Sequence, residues 1–582
     1  MSKKNISILK NSLILVIFLF TIFQSFSAEQ SCDFCEGCFT SCTTIIAGKD
    51  ATVDGSTMTS HTADCGRCDS RLIYVPAQDH EPGSMRAVYP FILPYPRYVG
   101  DDRGPGYAAK EGQTPTEALG YIPEVEHTYA YFDAVYGVMN EFQVGIGECT
   151  DRSITDRIGQ PPPEGDALFD IAAASRVAME RCKTAREAIQ LIGDLCVEYG
   201  YYGRAETLTI IDPEEAWLLE VLNTPDGKSA IWVAQRVPDD EVAVASNLLV
   251  IREIDLDNPD YFMASDNIFE VSKEEGWWNP EKGEFDFAGI YSEGRDHPYY
   301  SLRRKWRAYD LLAPSQGFSP WVEGYDTKAY PFSVKPDEKL SVEGLFTILR
   351  DYYEGTEFDL TQGLAAGPFG TPNRYAGGGA ERLLEGNWER PISIFRADYT
   401  SVLQARNWLP DPVGGVLWWI PDVAFSGCFV PFYCGITELP EAYSTGNRHA
   451  FDKDSAFWVF NFIGNWADLK FSYMIEDIRE KQQEYEGKML AMQPGIDQAA
   501  KAMYEQDPDL ARQFLTDYCN SNANKVVKEW WDFAEFLIMK YIDGYINVPD
   551  VGQSVGYPLW WLKEVGFEDG PYKTYEKPEH MK

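Results

Sequence analysis

Cys42-Thr43-Thr44-Ile45-Ile46-Ala47-Gly48-Lys49-Asp50-Ala51-Thr52-Val53-Asp54-Gly55-Ser56 is the stretch on which the fold turns. Thr43 to Ala47 is β-branched and apolar, the composition of a buried strand. Gly48-Lys49-Asp50 and Asp54-Gly55 are turn chemistry. The stretch therefore reads as two short strands around a turn, with a cysteine opening the first strand. A segment that can be shed precedes that cysteine. If the Ser41–Cys42 bond is cut, Cys42 gains a free α-amine, whose unperturbed pKa is about 7.7–8.0. Such an amine can serve as general base for the thiol of its own residue, with no histidine required. Cys42 is thus the candidate nucleophile.

Upstream, Lys3, Lys4 and Lys10 precede the apolar run Leu13 to Phe23, and the small residues Ser25, Ser27 and Ala28 follow. This is the layout of a secretory signal, and the run is shorter than the ~20 residues a membrane span needs. An uncleaved N-terminal anchor is the alternative. Either way the remainder is expected outside the cytoplasm, in a periplasm, on a surface or in the medium, with no integral membrane association once the signal is removed. The cysteines stand at 32, 35, 38, 42, 65, 68, 149, 182, 196, 428, 434 and 519. Cys32, Cys35, Cys38 and Cys42 have the spacing of an iron–sulfur run, but Thr43 replaces the expected proline and a second cluster motif is missing. Cys65 and Cys68 read as a disulfide, as free thiols or as half of a zinc site. Pairings of Cys428 with Cys434, and of Cys182 or Cys196 with some partner, are compatible with an exported chain.

The chain has 51 basic and 90 acidic residues, a formal charge of −39, which argues against nucleic-acid binding and against docking on an anionic membrane. An apolar content of 45% excludes a disordered chain. The histidines (His61, His80, His127, His297, His449, His580) form no metal-binding pattern, and neither a Gly-x-Ser-x-Gly elbow nor a phosphate loop is present. No cofactor and no metal are expected. The glycine-rich Gly377-Gly378-Gly379 reads as a turn.

The stretch from Cys42 resembles the mature start of the PepD-like dipeptidases, which are cysteine N-terminal nucleophile (Ntn) hydrolases related to the choloylglycine and penicillin V acylases. Further blocks are similar to the same family: Asn140-Glu141-Phe142-Gln143-Val144-Gly145-Ile146-Gly147-Glu148, Ala245-Ser246-Asn247, Gly367-Pro368-Phe369-Gly370-Thr371-Pro372 and Glu389-Arg390-Pro391-Ile392-Ser393. The resemblance implies an α+β fold, a four-layer αββα Ntn-hydrolase sandwich, with autocatalytic loss of a propeptide and hydrolysis of dipeptides. It implies Cys42 as nucleophile and Asp64 as the acid that holds the α-amine. Asn140 and Asn247 match side chains that line an oxyanion hole or bind the amine, and Arg390 matches an active-site arginine. Where the family pattern has an arginine three residues before the acid, this chain has His61, read as a polar neighbour of the site. Without the resemblance, Asp64 and Asn140 read equally as turn residues and Arg390 as the partner of Glu389 or another acid.

The expected organisation is a signal peptide at 1–28, a propeptide at 29–41, the αββα core at 42–451 and a C-terminal helical extension at 452–582 packed on that core. Helices are expected at 166–181 and 184–199, and strands at 207–211, 216–221, 230–233 and 242–245, the first two joined by Asp212-Pro213-Glu214-Glu215. Residues 457–486 read as one helix. Asp507-Pro508-Asp509 is a helix start, and Val527, Trp530, Trp531, Ala534, Leu537, Ile538 and Tyr541 form an apolar stripe that ends at Gly544. Two other readings stay open: an Ntn amidase or acylase acting on another linear amide, and a non-enzymatic surface binding protein. Self-association into a homo-oligomer is left open as well.

Overall fold

The first residues seen in the computed structural model are Ser41 and, opening strand β1 (Cys42–Ala47), Cys42 itself; described are residues 41–293, 299–322, 330–373, 389–548, 551–569 and 579–581. The signal segment, the cysteines at 32, 35 and 38, and Gly377 to Gly379 lie outside them. Every residue of β1 is buried, as its β-branched run requires. Gly48 ends it, because a Cβ there would stand 2.5 Å from the Pro238 carbonyl oxygen. The chain returns through β2 (Thr57–Ala63), with Cys42 opposite Ala63.

Two large antiparallel sheets contain the strands that matter for the site. The second is built first along the chain: β3 (Ile73–Val75), β4 (Tyr131–Asp133), β5 (Gly137–Asn140), β6 (Gly145–Thr150), β7 (Glu206–Ile211), β8 (Ala216–Asn223) and β9 (Ala230–Arg236). β10 (Val242–Ala245) then joins the first sheet, β11 (Phe262–Ala264) the second, and β12 (Ser333–Val334), β13 (Tyr399–Ala405), β14 (Val416–Pro421) and β15 (Val430–Tyr433) complete the first. Among the described residues the first sheet has the order β12-β10-β1-β2-β13-β14-β15 and the second β11-β9-β8-β7-β6-β5-β4-β3. β6, β7 and β8 lie against β1, and β6 also meets β2 and β13. The sheets approach closely at Gly147, where a Cβ would stand 2.6 Å from the Ser60 carbonyl oxygen.

Helices α1 (Ile171–Arg181) and α2 (Ala185–Tyr199) pack on the second sheet. Asp170 accepts the Ala173 N–H, so α1 starts at Ile171 and not at 166. Thr184 and Glu187 close a capping box on α2. α3 (Tyr299–Leu312) lies against β10, and α4 (Val342–Leu349) against β13. The C-terminal helices α5 (Ala456–Ala467), α6 (Phe471–Tyr504) and α7 (Pro508–Lys540) pack on one another and on β14 and β15. The class is α+β, with antiparallel sheets and a helical C-terminal region.

Two expectations are corrected. Residues 457–486 are not one helix. The chain leaves helical geometry at Lys470 (φ −149°), where Thr371 and Asn373 hold the Asp468 carboxylate and Phe471 turns inward against Tyr352 and Phe425. Cys428, Cys434, Cys182 and Cys196 are free and buried. The Cys434 thiol lies 3.0 Å from the Asp411 carbonyl oxygen, so this cysteine packs as a small hydrophobe with a local contact. Cys65 and Cys68 are joined as a disulfide, which removes the zinc reading for this pair.

Candidate active site

The start of β1 brings Cys42 against Glu148 of β6, with the thiol 3.1 Å from Glu148 Oε2. His61, on β2, reaches the same oxygen from 3.3 Å, at an angle that makes no hydrogen bond. Its Nδ1 is 3.1 Å from the Tyr399 hydroxyl, and its ring lies beside Tyr136 and Tyr399. All three groups are buried. Cys42 Sγ, His61 Nε2 and a Glu148 oxygen lie within 4.8 Å of one another, a donor set that would suit a zinc-type cation.

Electrostatics sort the charges here. Burial and the facing Glu148 carboxylate push the Cys42 thiol well up, so it is a neutral thiol in this state. Burial also opposes the charge on Glu148, but the close approach of His61 and Glu206 and the hydrogen bond from Thr150 outweigh it and hold Glu148 below the usual carboxylate range. Glu206 goes the other way: burial and the charge of Glu148 raise it, so the proton of this acid pair rests on Glu206.

The Ser41–Cys42 peptide bond is itself held. The Ser41 carbonyl oxygen accepts the Asp64 backbone N–H at 3.1 Å and Arg390 Nη2 at 3.4 Å. Ser41 Oγ meets the Tyr300 hydroxyl. The Cys42 carbonyl oxygen accepts Arg304 Nη1 at 2.6 Å. Asp64 and Arg390 form a buried ion pair, each side chain 0% exposed. Burial raises Asp64 despite Arg390, while Arg390 is raised by Asp64 despite burial. Arg390 faces Asp64 as a cation, because a guanidinium does not release its proton in the working range. Asp64 Oδ1 is buried, and among the described residues no donor faces it.

Of the residues singled out in the sequence, Cys42, His61, Asp64 and Arg390 come together around the Ser41–Cys42 bond. Asn247 is one residue further out. It has φ 66°, donates Nδ2–H to the Thr150 carbonyl at 2.6 Å and accepts Arg304 Nη2 at 2.8 Å, so it positions Arg304. Asn140 is elsewhere, and its expected place in an oxyanion hole is corrected. Its amide donates to the carbonyls of Met179 and Cys182, at 3.0 and 2.8 Å, and its Oδ1 accepts the N–H groups of Phe142 and Val144. Both amide hydrogens are spent on tying the β5–β6 hairpin to the end of α1.

Glu148, Arg304 and Glu206 were not singled out. Glu148 carried a signal, as an acid inside the apolar run Val144 to Cys149. Arg304 carried none, because Arg303-Arg304-Lys305 reads as an ordinary charged helix turn. The Asp64–Arg390 pair makes a prediction. Arg390→Met leaves Asp64 buried without its ion-pair partner, and is expected to cost about 3–5 kcal/mol of unfolding free energy by urea titration. A variant as stable as its parent would show that the pair carries no such load.

A family model described as peptidase family C69 matches residues 41–484. Probable dipeptidase B of Lactococcus lactis subsp. lactis (strain IL1403) is 26% identical over 447 residues, 75% of this chain and 83% of that protein. A probable dipeptidase of Latilactobacillus sakei is 27% identical over 455 residues, 74% and 84% of the two chains. Dipeptidase A of Lactobacillus helveticus is 23% identical over 480 residues, 81% and 89%.

Proposed function

The chain belongs to peptidase family C69, and from that premise we propose that it is a cysteine-type dipeptidase in which Cys42 becomes the N-terminal nucleophile by self-cleavage. The observation that carries the reading is the Ser41–Cys42 bond: its thiol faces a base at 3.1 Å and its carbonyl oxygen lies between two donors. The names of the relatives point to dipeptides, and the family match that begins at residue 41 fits a mature chain that opens with Cys42. The paired antiparallel sheets with helices on either side fit an Ntn αββα sandwich.

In the self-cleavage, the Cys42 thiol passes its proton to Glu148, and Sγ adds to the Ser41 carbonyl carbon. The oxyanion forms between the Asp64 N–H and Arg390. Donors of that kind contribute ~3 kcal/mol each to acyl-transfer transition states. The C–N bond then breaks, with the proton returned from Glu148 to the Cys42 nitrogen, and a thioester joins Ser41 to Sγ. Water hydrolyses it and releases the upstream peptide.

The new α-ammonium finds Asp64 Oδ1, the buried acceptor with no donor. In turnover the α-amine takes the thiol proton, Sγ attacks the dipeptide carbonyl, and the proton passes to the leaving amine. Water then frees the acyl residue and regenerates Cys42. Arg304, on the Cys42 carbonyl, holds the strand start in place throughout.

We also place this chemistry outside the cytoplasm, on the strength of the leader-like segment ahead of Ser25 to Ala28. Among the described residues no helix is long and apolar enough to cross a membrane. N-terminal sequencing of active protein purified from the compartment in which it accumulates tests the reading. The expected first residue is Cys42, together with hydrolysis of unblocked dipeptides. Active protein that retains residues 29–41 overturns the mechanism.

A further inference from the structure

We infer that Glu206 binds the α-ammonium group of the substrate, and that the cavity beside it takes the side chain of the substrate's first residue. This rests on the dipeptidase reading above and names the recognition site within it. The cavity has a volume of about 300 Å³, and Glu206 and Thr150 form part of its wall. Phe91, Leu93, Ile171, Tyr201 and Tyr202 make much of the remainder, with the charged Arg157, Asp170 and Arg204 also in the wall. A chamber of that kind suits an apolar side chain, with a few polar groups to fix its orientation.

The polar end of the chamber lies next to the carboxylate that faces the nucleophile. Thr150 stands opposite Glu206 across the β6–β7 ladder, and its hydroxyl donates to Glu148 Oε1 at 2.7 Å. Glu148 Oε2 is the oxygen 3.1 Å from Cys42 Sγ. A single carboxylate therefore separates Glu206 from the reacting sulfur.

This is the arrangement the chemistry asks for. In a dipeptide the ammonium nitrogen is two bonds, roughly 2.5 Å, from the carbonyl carbon under attack. The anion that recognises it has to stand within a few ångströms of the nucleophile. An internal peptide offers an uncharged amide at that point and needs room for the chain beyond it.

The hydrogen-bond ledger assigns the same partner. Glu206 is 7% exposed, and among the described residues no donor faces its Oε2. In the empty site the proton that Glu206 carries joins it to Glu148, and a ligand that supplies N–H groups can replace that single proton with donors to the carboxylate. Asp64 Oδ1 is a second such acceptor at the site, and it is claimed by the enzyme's own new α-amine. Glu206 is left for the substrate's. Burial and the charge of Glu148 favour the protonated form of Glu206 when nothing is bound, and an arriving ammonium takes the place of that proton, which is released to solvent.

The test compares leucyl-alanine with N-acetyl-leucyl-alanine on the wild-type protein and on Glu206→Gln. The wild type is expected to favour the free amine by at least about 100-fold in kcat/KM. The variant is expected to lose about 100-fold on leucyl-alanine, chiefly through KM, the scale of a buried charge pair deprived of one partner. Its rate on the acetylated substrate should fall far less, so the preference collapses. A wild-type preference that survives in Glu206→Gln overturns the assignment and leaves the dipeptidase reading intact. A wild-type protein that hydrolyses neither substrate overturns both.

Loss of the propeptide reports that the variant has folded, since that step needs no substrate ammonium and the glutamine amide still offers Glu148 a donor. Should Glu206→Gln fail to process, Ile171→Trp tests the cavity alone. It is expected to raise KM for leucyl-alanine at least about tenfold while sparing glycyl-alanine, and equal effects on the two would overturn the assignment.

Discussion

Cys42→Ala is expected to keep every residue between the signal and position 42, and to hydrolyse no dipeptide. Both losses have one cause. The sulfur that cuts the Ser41–Cys42 bond is the sulfur that later attacks the substrate. Alanine removes the nucleophile and keeps the strand, because position 42 is buried at the start of β1 and pairs through its backbone with Ala63. Removal of a nucleophile from a hydrolase that uses covalent catalysis costs on the order of 10⁶-fold in kcat, so turnover should fall below detection. Intact mass reads the first effect and a dipeptide assay the second. An alanine variant whose chain still begins at position 42 would mean that another protease makes the cut. One that still turns over dipeptides would remove Cys42 from the mechanism.

The second large effect separates two bases that act at different times. Before scission the Cys42 nitrogen is an amide and cannot accept a proton, so the thiol has to be activated by something else. Glu148 is the ionised group in contact with it, at 3.1 Å, and is held in its charged form by its hydrogen bonds despite burial. Glu148→Gln keeps the shape and removes the base. Propeptide loss is expected to slow by about 10³-fold, within the range that general-base catalysis supplies. A chain made to begin at Met followed directly by Cys42, with the methionine removed, bypasses that step. With the Gln substitution it is expected to keep kcat within about tenfold of the mature wild type, since the α-amine now does the work. Loss of both activities would place Glu148 in turnover as well. Loss of neither would remove it from the mechanism. Time courses of intact mass, with dipeptide assays on the bypassed chain, distinguish these results.

Much of the site's first layer could be read along the chain. Cys42 stands at a strand start, and Asp64 follows directly on the end of the strand that pairs with it. Those two positions lie within one hairpin, but Asp64 was indicated by the family resemblance, since taken alone it reads as a turn residue. The hairpin 206–223 and helices α1 and α2 were legible through apolar alternation and caps. Asn140 went astray because an asparagine that ends a strand looks the same whether its amide faces a substrate or closes its own turn. Here the Met179 and Cys182 carbonyls at the end of α1 decide it. The break at Lys470 was equally hidden, since the side chains that hold Asp468, Thr371 and Asn373, lie about a hundred residues away along the chain.

The linear order of residues determined which strand the nucleophile opens and which turn follows it, because each depends on contacts within a few residues, while the acid beside its peptide bond was indicated only by the family resemblance. Only the packing of the two sheets decided what the thiol faces. Glu148 arrives from the second sheet at the level of Gly147, whose missing side chain lets the layers meet. Arg304 reaches the Cys42 carbonyl from α3, 262 positions along, and Arg390 reaches Asp64 from 326 positions along. A buried charge is stable only where a partner is brought to it, and that partner is chosen by how the layers stack and not by its distance along the chain.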